Sequence, residues 1–268
     1  MSPRIQLVAL DLDGTLLCDD GSISARNVQA IQTAVSQNVQ VILATGKTRA
    51  SALRLLDQLG LEAPGVFNQG LVIHNADGSI RYETALDKET AVRAITFAVE
   101  QQLPHLAYCG PRIVAPYEHH YGRLLQEKYH EPLPQVIGPF LDQIADLRIN
   151  KFMISDEVNN DTTRARLTRL MGDRAVVTQA VPGYIEMLPP GASKGRGVRR
   201  LLDDLGIPPA AVLAVGDGEN DLEMLQMAAV GVAMGNAKLS VKAIADYVTA
   251  DNNHSGVAEA IERFVLNA

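Results

Sequence analysis

Residues 5–16 read Ile5-Gln6-Leu7-Val8-Ala9-Leu10-Asp11-Leu12-Asp13-Gly14-Thr15-Leu16. A short apolar run that stops on two aspartates and a glycine reads as a buried strand of a parallel sheet opening into a turn. Open α/β folds build their sites at the carboxyl edge of such strands. Asp11 and Asp13 flank a single residue, so an extended segment would turn both carboxylates to one side. Gly14 permits the tight exit that exposes them.

Two further apolar runs end in the same way. Val41-Ile42-Leu43-Ala44 leads into Thr45-Gly46-Lys47, and Val212-Leu213-Ala214-Val215 leads into Gly216-Asp217-Gly218-Glu219-Asn220-Asp221. If these strands are neighbours, carboxylates, a hydroxyl and backbone amides converge on one spot. Clustered carboxylates repel one another. A hard divalent cation with oxygen ligands relieves that repulsion, and Mg²⁺ also accepts a substrate phosphate oxygen.

Between these runs, strands alternate with segments of helical period, which predicts a doubly wound parallel sheet covered by helices. Ser24 is placed to cap a helix carrying Val28, Ile31 and Val35 on one face. Asp77-Gly78 reads as a hairpin turn. The middle third, with helices near 88–102 and 162–171 among short strands, reads as a separate α+β domain. The expected division is a core of residues 1–84 and 188–268 with an inserted domain over 85–187.

Composition narrows the class. The 268 residues are 47% apolar and 21% charged, with a net charge of −7, which is ordinary for a globular protein. An unclustered acidic surface argues against nucleic acid or an anionic membrane as partner. The two cysteines, Cys18 and Cys109, form neither a disulfide framework nor a zinc signature. No leader or bilayer-spanning run is read, so the expected setting is the cytoplasm, as a monomer or weak homodimer.

Taken in order, Asp11-Leu12-Asp13-Gly14-Thr15, the strand-end Thr45-Gly46, Lys194 at a helix start in Gly191-Ala192-Ser193-Lys194-Gly195, and Gly216-Asp217-Gly218-Glu219-Asn220-Asp221 resemble the haloacid dehalogenase superfamily of phosphatases. About 150 residues separate Thr45 from Lys194, far more than an ordinary connection. An insertion there resembles the large α/β cap (type II, subclass B) of the Cof-like members. Asn68-Gln69-Gly70 and Tyr184-Ile185-Glu186-Met187 are also similar to Cof-like sequences.

The resemblance implies a Rossmann-like core with an inserted cap, Mg²⁺ as cofactor and a small phosphorylated substrate, with sugar phosphates the first choice. It implies Asp11 as nucleophile and Asp13 as general acid and base. Thr45 and Lys194 would complete the catalytic set. Leu12, Thr45, Gly46, Lys194 and Asn220 would hold the phosphate, and Asp11, Asp13 (through its main-chain carbonyl), Asp217 and Asp221 would hold the metal. Asp13 separates the chain from dehalogenating relatives, which lack it, and from transport ATPases, which carry threonine there.

Cof-like members usually carry arginine where this chain has Lys47, so Lys47 stands as a candidate substrate contact. In the inserted domain Tyr117, His119, His120 and Tyr121 form the densest polar-aromatic cluster, with His119 and His120 as candidate contacts. Glu186 reads either as an entrance residue or as an edge-strand carboxylate. Arg196, Arg199 and Arg200 read as a solvated helix face. Two alternatives carry over: a phosphomutase, for which the insert offers no obvious arginine cluster, and a non-catalytic phosphate-sensing protein.

Overall fold

A computed structural model describes residues 4–179 and 183–267. The chain forms two compact units. One comprises residues 1–46, 52–81 and 193–268, and the other residues 47–51 and 82–192.

The first unit is built on a five-stranded parallel sheet. Its spatial order is Tyr247–Val248, Val230–Ala233, Val212–Gly216, Leu7–Leu10, Gln40–Leu43. Leu10 pairs in register with Val215 on one side and Leu43 on the other. From Leu7–Leu10 the chain moves outward one way, and from Val212–Gly216 the other way. The seam between these two strands is therefore the topological switch point where open α/β sheets place their sites. Both strands are fully buried, as parallel strands covered on two faces must be. A bridge from Ala44 to Val66 leads into a small antiparallel sheet of Gly65–Phe67, Val72–His74 and Ile80–Glu83.

Helix ends are set by local chemistry. Ser24 caps Ala25–Ser36 by accepting from the Asn27 amide. Asn27 in turn accepts from the Ala258 amide, which joins this helix to Gly256–Ile261. Ser193 caps the Lys194–Leu205 helix, which ends on Gly206 in the left-handed region. Its buried face carries Gly195 and Gly197. A Cβ on Gly197 would lie 2.7 Å from Gly70 Cα and one on Gly195 2.7 Å from Glu223 Cβ, so only glycine permits this approach.

The second unit holds a six-stranded mixed sheet in the order Val176–Thr178, Tyr184–Leu188, Lys151–Ser155, His105–Cys109, Arg112–Ala115, Gln135–Val136. Strand alternation sends Ala107, Cys109, Phe152, Ile154, Ile185 and Met187 into one apolar cluster, with residues of helices Lys88–Glu100 and Asn160–Met171. Leu106, Tyr108, Met153 and Tyr184 face the other way, with Leu125 of helix His120–Tyr129.

The sequence reading of Glu186 as an edge residue needs correction. Its strand has neighbours on both sides, and the side chain is buried. Cys109 is buried, which pushes its thiol pKa up to about 12. No helix among the described residues is long and apolar enough to cross a membrane.

Candidate active site

Asp11 stands at the end of its strand, its amide bonded to the Val215 carbonyl at 3.1 Å across the switch point. The chain turns at once. The Leu12 carbonyl accepts from Thr15 and Leu17, so the segment after Asp11 is not extended. Asp11 is 4% exposed and sits inside, whereas Asp13 is exposed. Gly14 sustains the turn at φ 74°, and its own packing demands glycine, because a Cβ there would meet Asp217 Oδ2 at 2.5 Å.

Asp217 arrives from the neighbouring strand end and Asp221 from the helical turn after it. One oxygen each of Asp11, Asp217 and Asp221 lies within 4.8 Å of the others. The Thr15 hydroxyl donates to Asp217 Oδ1 at 3.0 Å and lies 3.4 Å from Asp11 Oδ2. Lys194, 1% exposed at the first turn of its helix, donates to Asp11 Oδ1 at 2.5 Å and to Asp221 Oδ1 at 2.8 Å. The second oxygen of Asp221 accepts from the Asp217 and Gly218 amides, so both its oxygens already hold the site together.

The electrostatics follow from burial. Burial and the adjacent Asp221 push the Asp11 carboxyl well above the usual range, while Lys194 pulls it back. Burial and Asp221 likewise raise Asp217. Burial opposes the charge on Lys194, yet Asp11 and Asp221 outweigh it and hold the ammonium above its ordinary pKa. Three carboxylates against one ammonium leave excess negative charge in a dry place. An all-oxygen donor set with that excess fits a hard divalent cation such as Mg²⁺.

The other expected phosphate-site residues surround this cluster in sequence and fold. Leu12 is buried in the core by its side chain. Thr45, 1% exposed, donates its amide to Val66 and accepts from Gln69 through its carbonyl. Gly46 has the Gln69 carboxamide beside it, and Asn220 donates to Gln69 Oε1 at 3.2 Å. The sequence motifs assign Gln69 no role. Its signal is conformational: Asn68, Gln69 and Gly70 have φ of 50°, 59° and 87° in succession. Such positions on non-glycine residues cost about 1–3 kcal/mol each and concentrate at functional sites.

Lys47, His119 and His120 belong to the other unit. Lys47 is buried near Glu131. Glu131 Oε2 accepts from the Thr48 hydroxyl at 2.6 Å, and its two oxygens accept from the Thr48 amide at 3.2 and 3.4 Å. Burial raises the Glu131 pKa, and Lys151, Thr48 and Lys47 oppose that rise. Nothing in the sequence around Glu131 signalled this anchor. Lys151 lies 3.5 Å from Glu186 and 3.9 Å from the centre of the Tyr108 ring, completing a buried ionic group. His119 and His120 line a cavity of about 310 Å³ with Tyr117, Arg123, Leu133 and Val136. Arg196 and Arg200 are solvated, with loose pairings to Glu223 and Asp204.

Comparison with known proteins places this geometry. A family model described as haloacid dehalogenase-like hydrolase matches residues 8–261. A chloroplastic endoribonuclease of Arabidopsis thaliana is 36% identical over 98% of the chain, which spans only 47% of that protein. A Bacillus subtilis relative named 5-amino-6-(5-phospho-D-ribitylamino)uracil phosphatase is 30% identical, covering 98% of this chain and 99% of its own. A haloacid dehalogenase-like hydrolase of Bacteroides thetaiotaomicron superposes with TM-score 0.89 at 31% identity, over 97% of this chain and 99% of that one. The chain therefore belongs to the haloacid dehalogenase-like hydrolases, as a phosphatase of the Cof-like branch that its motifs resemble.

Proposed function

We propose that this phosphatase is Mg²⁺-dependent and hydrolyses small phosphate monoesters through a phospho-aspartyl intermediate on Asp11. The observation that carries the proposal is the set of three carboxylates that follow two adjacent parallel strands and meet the buried ammonium of Lys194. Asp11, Asp217 and the Asp13 main chain would hold the ion, with Asp221 as direct ligand or anchor. A bound Mg²⁺ would keep the carboxylates ionised and offset the charge of the phosphoryl group.

An Asp11 carboxylate oxygen attacks phosphorus in line as the phosphorus–oxygen bond to the leaving group breaks. Asp13 gives its proton to the departing alkoxide. Its exposed position suits it to the second half, in which it takes a proton from water as that water attacks phosphorus. The bond to Asp11 then breaks, inorganic phosphate leaves and the Asp11 carboxylate is regenerated. Thr45, the Leu12 and Gly46 amides, Lys194 and Asn220 would bind phosphoryl oxygens, with charge stabilisation from Lys194.

Phosphorylated sugars or polyols are the proposed substrates. The Bacillus relative whose name carries a phosphoribityl group supports that class. We assign substrate choice to the inserted unit, with Lys47, His119 and His120 as candidate contacts. The test is phosphate release from a panel of sugar and polyol phosphates and p-nitrophenyl phosphate. Turnover should vanish in EDTA, return with Mg²⁺ and be absent in Asp11→Asn. A folded protein that releases no phosphate across that panel would refute the proposal.

A further inference from the structure

We infer that Gln69 is a further phosphate-site residue, which orients Asn220 through its carbonyl and presents its amide nitrogen to a phosphoryl oxygen beside Gly46. The inference rests on the phosphatase reading above and adds to it a residue that none of the four motifs contains.

Three observations converge. The first is conformational. Gln69 adopts φ 59° and ψ 34°, between Asn68 at φ 50° and Gly70 at φ 87°. Glutamine gains nothing from the left-handed region, whereas glycine enters it without steric penalty. A glutamine held there needs a use for its side chain.

The second is location. The Gln69 amide donates to the Thr45 carbonyl at 3.1 Å, so the turn is tied directly to the strand end that carries Thr45 and Gly46. On the far side, a Cβ at Gly70 would come within 2.0 Å of the Ser193 carbonyl, so the same turn abuts the start of the Lys194 helix. One short segment thus touches the Thr45-Gly46 and Lys194 motifs, and the Gln69 side chain reaches the third at Asn220.

The third is chemical. Gln69 is 9% exposed. Its Oε1 accepts from Asn220 Nδ2 at 3.2 Å, which fixes the rotation of both carboxamides. Its Nε2 occupies the space where a Gly46 Cβ would project, 2.6 Å from that position. A carboxamide nitrogen beside Gly46 offers two N–H donors to an anion bound there. Beside an aspartate cluster suited to a divalent cation, the acceptor of matching chemistry is a phosphoryl oxygen.

The test uses three substitutions in the full-length protein. Gln69→Gly removes the carboxamide and suits the backbone, Gln69→Ala removes it and keeps the strain, and Gln69→Glu keeps the shape but reverses the polarity at Nε2. The probes are a sugar phosphate the parent hydrolyses and inorganic phosphate as competitive inhibitor, with melting temperature measured in parallel. Loss of a hydrogen bond to a charged group predicts about a tenfold rise in KM and in the inhibition constant for phosphate in Gln69→Gly and Gln69→Ala. Gln69→Glu should be weaker than either.

Gln69→Gly should nonetheless melt at or above the parent temperature and above Gln69→Ala. Opposite movement of stability and phosphate affinity is what a merely structural residue cannot produce. Phosphate inhibition and KM unchanged within twofold in Gln69→Gly, in an active parent, would overturn the assignment of Gln69 alone. A parent that neither hydrolyses the panel nor binds phosphate would overturn this inference together with the proposed function.

Discussion

Replacing Lys194 by methionine separates the electrostatic account of the site from a mere packing account. The Lys194 ammonium is buried between Asp11 and Asp221, whose side chains are 6% and 0% exposed. Without it, two carboxylate oxygens within 4.8 Å face each other with no fixed positive charge. At an effective dielectric near 20 their repulsion is about 3.5 kcal/mol. Breaking a buried pair by removing one partner costs about 3–5 kcal/mol by direct experience with other proteins, so two routes agree.

At roughly 2–4 °C per kcal/mol for a unit of this size, Lys194→Met should melt about 6–20 °C below the parent in EDTA. Mg²⁺ should restore part of that loss. Asp11→Asn should behave oppositely. Burial holds the folded Asp11 pKa above its ordinary 3.8, so ionised Asp11 costs stability at neutral pH. Asparagine removes that cost and keeps an oxygen for Lys194. Its melting temperature in EDTA should equal or exceed the parent's, although both variants release no phosphate. Differential scanning fluorimetry with and without Mg²⁺, alongside phosphate release, checks both. Equal destabilisation by the two substitutions, or none by Lys194→Met, would refute the reasoning.

Gly14→Ala places a Cβ 2.5 Å from Asp217 Oδ2 at a φ of 74°. It should cost about 2–4 kcal/mol in urea unfolding and shrink the stabilisation by Mg²⁺. Glu131→Ala strands the Thr48 amide and hydroxyl in a buried site and should cost about 2–4 kcal/mol, with Glu131→Gln milder; urea midpoints decide. Burial holds the His105 pKa below its ordinary 6.5. Its contribution to stability is therefore complete above pH 6.5 and is lost as pH falls below that value. His105→Phe, whose ring would join Phe140 and Phe152 at 5.4 and 5.5 Å, should flatten this part of the urea midpoint profile between pH 7.5 and 5.

The sequence by itself determined the alternating strands and helices, the apolar runs ending in Asp11, Thr45 and Asp217, and the serine that caps the first helix. These are legible because burial and backbone preference repeat with the period of the element and act over a few residues. Only the tertiary structure decided the strand order that seats Asp11 beside Asp217, and the depth that turns Lys194 into a buried counter-charge. It also decided that Leu12 begins a turn, that Glu186 lies inside its sheet, and that Gln69 and Glu131 matter. Glu131 meets Thr48 from 83 positions away, and Asn220 meets Gln69 from 151. Such partners share no local pattern. Each contact exists because the fold of its own unit brings remote segments within hydrogen-bonding distance, and that distance is a property of the folded chain alone.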